Sequence, residues 1–134
     1  MKDYAVNIKI KLAALWTSVT FLYIYGDYFE LYAPGKVDNL ISGENNLSSP
    51  TLLLIASIIL AIPSLMIFLS LILKPKLNKW LNIVFGLMFT LMMLLIAVTS
   101  ITPWYSFYVF YAILESILTA TIVWYAFKWP KENN

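Results

Sequence analysis

Four apolar runs, each close to the length of a bilayer crossing, constrain this chain more than anything else in it. A helix needs ~20 predominantly apolar residues to cross a hydrocarbon core of ~30 Å. The runs at about 12–33, 51–73, 80–101 and 104–127 meet that requirement and leave room for little but connections. Charged residues make up only 12% of the 134, about half their usual share in a soluble domain. A water-soluble fold of this size has too little interior to hide so much apolar surface. The expected fold is all-α, an integral membrane four-helix bundle forming a single domain over residues 1–134.

The first run follows Lys2, Lys9 and Lys11, which resemble the start of a secretory signal. It is too long for one, carries Asp27 and Glu30, and lacks a small-x-small cleavage site before Pro34. A retained helix is the expectation. Cys and His are both absent, which excludes disulfides, thiolate nucleophiles, haem ligation by His and the usual zinc sites. No metal and no cofactor is therefore expected.

The connections are legible from their turn chemistry. Pro34-Gly35 ends the first helix, and the linker 34–50 carries Lys36, Asp38, Glu44 and Asn45-Asn46. Within it Val37, Leu40 and Ile41 have helical spacing and predict a short helix on the membrane surface. Ser49 as cap and Pro50 at the first helical position start the second span. Pro63, near its middle, frees the Ile59 carbonyl and predicts a kink. Lys74–Lys79 reads as a short basic loop, and Thr102-Pro103 repeats the cap-then-proline signal.

Lysine placement gives the orientation. Eight of the nine lie in the N-terminal segment, the loop 74–79 and the C-terminal tail. By the positive-inside rule both termini and that loop face the cytoplasm, so the expected location is the inner (cytoplasmic) membrane, crossed several times. Trp16, Trp80, Trp104, Trp124 and Trp129 lie toward span ends, as interfacial anchors should.

Inside the spans stand acids, which are expensive there and are functional candidates by default. Counting from the lysines at ~1.5 Å per residue, Asp27 lies about 24 Å in, Glu115 about 20 Å and the freed Ile59 carbonyl about 22 Å. Three helices thus offer a polar group at a similar level. Tyr23, Asp27 and Glu30 share one face at i, i+4 and i+7, and Tyr108, Tyr111 and Glu115 form a stripe continued by Thr119. Facing each other, the two stripes would build a pocket of carboxylates and phenols. No Lys or Arg is expected at that depth to neutralise the acids. Plainer readings stand beside this one: Glu30 solvated at the interface, the tyrosines as interfacial packing, and Met88, Met92 and Met93 as core or lipid-facing residues.

Several stretches together resemble a family of small bacterial four-helix membrane proteins that carries only a domain-of-unknown-function label. They are Leu15-Trp16, Tyr23-Ile24-Tyr25-Gly26-Asp27 and Pro34-Gly35; Ile62-Pro63-Ser64-Leu65-Met66 with Leu69-Ser70; Asn78-Lys79-Trp80-Leu81-Asn82-Ile83; and Glu115 with Trp124-Tyr125-Ala126-Phe127-Lys128-Trp129. The resemblance spans nearly the whole chain. It implies the topology and no activity. Many members of that family carry an acid before the Ile-Pro pair, where this chain has Ala61, which implies that a carboxylate on the second helix is dispensable. A looser similarity in size and layout to the DoxX-like group is one of fold alone.

Three roles fit these residues. The first is a binding or transport-type protein whose Asp27 and Glu115, with Glu30, Tyr23, Tyr108 and Tyr111 around them, engage a proton or a cationic or polar small ligand. The second is an enzyme acting on a lipid or isoprenoid, with paired acids and phenols as general acid and base. The third is an accessory subunit whose acids pair with a basic residue of another protein. Binding is preferred to catalysis, because no nucleophile, metal site or nucleotide loop is marked. The expected partners are the lipid bilayer, a second copy of the chain in a homodimer and a small-molecule or lipid ligand, and not nucleic acid.

Overall fold

A computed structural model describes residues 5–44, 47 and 49–129. The expectations placed on Lys2, on Asn45-Asn46 and on the C-terminal tail beyond Trp129 fall outside the described residues. The described chain is all-helical: α1 (Ile8–Glu30), α2 (Lys36–Ser42), α3 (Pro50–Ile72), α4 (Pro75–Thr99) and α5 (Ser106–Phe127), with a single 3-10 turn at Pro103–Tyr105. Four of these, counting the 3-10 turn with α5, are long and apolar enough to cross a membrane.

Local chemistry sets the ends. The Asn7 side chain accepts from the Lys9 N–H at 2.8 Å and starts α1 four residues before the first apolar run begins. Gly35 and Gly43 bracket α2, both with φ of 80°, a conformation that costs a glycine little and other residues more. Ser49 caps α3 by accepting from Leu52 N–H at 3.0 Å, and Pro50 fills the first turn, as its sequence predicts. α3 then runs through Pro63 without interruption. The basic segment 74–79 is not a loop. Pro75 occupies the first turn of α4, so Lys76 and Lys79 ride on the helix.

α1 packs chiefly on α3 and α5, and α4 chiefly on α5, while α3 touches α4 much less. Leu12, Trp16, Val19, Met66, Phe89 and Ile122 form the centre of the core. Gly86 allows the close approach of α4 to α5, because a β-carbon there would meet Val123 Cγ2 at 2.6 Å and the Thr119 carbonyl at 3.3 Å. Beside it the Thr90 and Thr119 hydroxyls are 2.7 Å apart and bond across the two helices.

Near the lysine-bearing ends a buried polar cluster ties α1, α3 and α4 together. Trp16 Nε1 donates to Asn82 Oδ1 at 2.7 Å, and Ser70 Oγ reaches the same oxygen at 3.4 Å. Asn82 Nδ2 donates to Asn78 Oδ1 at 2.7 Å, while Asn78 Nδ2 donates to the Ser70 carbonyl at 2.7 Å. Trp16 is thus no interfacial anchor; it is fully buried, as nearly is Trp129. Trp80, Trp104 and Trp124 are exposed, as anchors should be.

The buried residues of α3 are Pro63, Met66 and Ser70, all in its C-terminal half. That half is held by the polar cluster. The N-terminal half has no buried residue, and the space it leaves is the candidate site.

Candidate functional site

A cavity of about 370 Å³ lies among the four long helices at the end away from the polar cluster. α1 contributes Tyr23, Gly26 and Asp27, and α5 contributes Tyr108, Tyr111 and Glu115. Ala56, Ile59 and Leu60 of α3 and Met92, Met93 and Ile96 of α4 supply apolar walls. The spacing on α1 and α5 explains the convergence. Residues three and four apart lie on one helix face, and the two faces meet where α1 packs on α5.

Five of the six residues singled out from the sequence therefore line one cavity. Glu115 is the deepest of the acids, at 5% exposure. Among the described residues no hydrogen-bond donor reaches its carboxyl group; its backbone carbonyl accepts from Thr119 at 2.9 Å. Tyr23 is 8% exposed, and its hydroxyl is buried without a hydrogen-bond partner among the described residues. Its ring packs on Phe89, with centroids 5.8 Å apart. Asp27 is exposed at the cavity rim. Tyr108 and Tyr111 are half-buried. The Ile59 carbonyl, freed by Pro63, receives no side-chain hydrogen bond among the described residues, and Ile59 lines the same cavity.

Glu30 stands apart. It lines an adjoining recess of about 410 Å³ together with Asp27, Lys36 and Tyr108. Its carboxylate lies 3.3 Å from Lys36 Nζ and accepts from the Tyr105 hydroxyl at 3.1 Å. A lysine does reach the outermost of the three acids. The turn through Pro34-Gly35 folds α2 back, so that Lys36 returns to the end of α1 six residues after Glu30. Glu30 is neutralised in this way, and among the described residues no cation pairs with Glu115.

The methionines are the residues whose part the sequence hid. Met92 and Met93 line the cavity, offering flexible, polarisable walls. Apolar side chains on one side and two carboxyl groups with phenols on the other make the cavity amphipathic. Such a site can hold an ammonium-type cation by charge and ring faces, or can load and release a proton.

Four helices of this length and apolarity, enclosing such a cavity, make this a membrane protein. It belongs to a family of unknown function (DUF6326), which the chain matches over residues 1–134. No curated protein and no solved structure matches it, and the looser likeness to the DoxX-like group finds no support.

Proposed function

We propose that the cavity between α1, α3, α4 and α5 binds a proton or a cationic small ligand, with Asp27 at its rim and Glu115 at its floor. One observation carries this reading. Among the described residues, the carboxyl group of the buried Glu115 meets no cation or hydrogen-bond donor, the buried Tyr23 hydroxyl has no partner, and both residues line the same cavity. Buried polar groups without partners are rare in folded proteins, and each one calls for an explanation. A ligand that supplies positive charge to Glu115 and a donor or acceptor to Tyr23 Oη supplies it. Proton and cation compete for the same carboxyl oxygens, which couples the two. In this reading the lysine-rich helix ends face the cytoplasm from the inner membrane. Two copies of the chain associate, since four helices alone leave little room for a path.

The test is labelling of the purified full chain by a carboxyl-directed carbodiimide, with N,N-dimethylbenzylammonium as the probe cation. Glu115 and Asp27 are expected to be protected by the probe. Its affinity should fall about tenfold or more in Glu115→Gln, the scale of one lost charge-assisted contact, and should weaken as pH is lowered. Equal labelling with and without probe at every pH, and equal affinity in the variant, overturn the reading.

A further inference from the structure

A second concavity, at the opposite end of the helices, takes no part in that reading. Where the first turn of α1 meets the last turn of α5 lies a groove of about 420 Å³, lined by Asn7, Ile8, Lys11, Trp124, Tyr125 and Lys128 among others. It is the charge inverse of the cavity. Two ammonium groups line it and, among the described residues, no carboxylate does. Lys11 Nζ stands 5.3 Å from the centre of the Tyr125 ring, and Lys128 Nζ 5.9 Å from that of Trp124. A ring face attracts an ammonium group without using its N–H donors as a carboxylate would, so both lysines keep donors for an oxyanion. Among the described residues neither is ion-paired; the one ion pair is Lys36 with Glu30.

The groove also sits at an apolar track. On α5 Ile113, Ile117 and Trp124 are exposed at i, i+4 and i+11, a single stripe that ends at the groove. In a membrane protein such a stripe faces acyl chains. A ligand that matches both parts carries an oxyanion at its head and hydrocarbon behind it. Basic pockets between helices at a membrane surface have this chemistry for lipid phosphates.

We propose that the groove between the start of α1 and the end of α5 seats the phosphate of an anionic phospholipid, held by Lys11 and Lys128, with acyl chains along the α5 stripe. The aromatic rings of Trp124 and Tyr125 mark the headgroup level. The Asn7 side-chain oxygen is already used as the α1 cap, which leaves its amide donors for the headgroup.

Native mass spectrometry of the full chain, released from mixed micelles, tests this with phosphatidylglycerol, phosphatidylcholine and inorganic phosphate as separate additions. Phosphatidylglycerol is expected to give a discrete one-to-one adduct that outcompetes phosphatidylcholine. The double variant Lys11→Gln/Lys128→Gln should weaken it about thirtyfold at low salt, from about a tenfold loss or less per lysine. Lys74→Gln/Lys76→Gln, which removes equal charge outside the groove, should change it less than threefold. Three results overturn the proposal. One is equal loss in both double variants, which would make the effect one of net charge. Another is no preference over phosphatidylcholine, and the third is displacement of the adduct by millimolar inorganic phosphate, which would make the site one for the free ion.

Discussion

The two halves of this molecule bury most of their polar groups in opposite ways; the exception is the Trp129 indole N–H, buried at the lysine-bearing end without a hydrogen-bond partner among the described residues. At the lysine-bearing end, Trp16, Ser70, Asn78 and Asn82 are fully enclosed, and each bonds to another. At the other end Glu115 and Tyr23 are almost as enclosed, yet among the described residues no donor reaches the carboxyl group and no partner reaches the phenol. The first arrangement is what a low-dielectric interior demands, since every unsatisfied group there is costly. The second is tolerated only where something else repays it. α3 shows the boundary between the two regimes within one helix. Below Pro63 it is locked to Asn82 and Asn78 through Ser70; above Pro63 it contributes walls to a void. Satisfied polarity marks the scaffold, and unsatisfied polarity beside a cavity marks the site.

The sharpest way to break that contrast is to unsatisfy the satisfied half. Asn82→Leu leaves the Trp16 N–H, the Ser70 hydroxyl and the Asn78 side-chain oxygen without their partner at once. At roughly 1–3 kcal/mol for a stranded group, the loss should reach about 3 kcal/mol, read as an earlier unfolding midpoint when SDS is titrated into mild detergent. A change below about 0.5 kcal/mol would show that the cluster relaxes to other partners and is no clamp.

Gly86→Ala comes next and removes no hydrogen-bonding group. The new methyl would sit 2.6 Å from Val123 Cγ2 and 3.3 Å from a backbone carbonyl, so α4 and α5 must separate and stretch the Thr90–Thr119 bond. Overpacking of this kind costs about 1–3 kcal/mol, and the same SDS titration reads it. Probe binding in the cavity should survive, because Gly86 is not among its lining residues.

How much of this was legible beforehand depends on which quantity a sequence encodes. Span number is a matter of length and apolarity, so all four helices were readable, as was the short α2 from Val37, Leu40 and Ile41. Rotation is harder. Trp16 reads as an interfacial anchor by its position near a span end, but what turns it inward is Asn82, sixty-six residues on. The two asparagines look like a polar approach to a helix rather than a buried cluster, because the lysines between and around them suggest a loop. Pro75 was the available signal that α4 begins there. For the cavity, helical spacing placed Tyr23 with Asp27, and Tyr108 and Tyr111 with Glu115. It could not reveal that Lys36 would double back to Glu30, since that contact depends on the geometry of the Pro34-Gly35 turn.

The smallest expected effect is also the most discriminating, because it deletes one polar atom from each half. Trp16→Phe removes the donor to Asn82 and part of a fully buried ring, and should destabilise by about 2 kcal/mol. Tyr23→Phe removes a hydroxyl that has no partner among the described residues, and keeps the ring that packs on Phe89. Deleting an unsatisfied buried group relieves its desolvation penalty, so stability should stay within about 0.5 kcal/mol of the parent or rise. If the hydroxyl serves a bound cation or the proton on Glu115, the same substitution should weaken probe binding several-fold while leaving the fold untouched. A loss of stability as large as that of Trp16→Phe would mean the phenol is satisfied after all, by water or by a partner chain. The distinction between a scaffold half and a site half would then have to be drawn elsewhere.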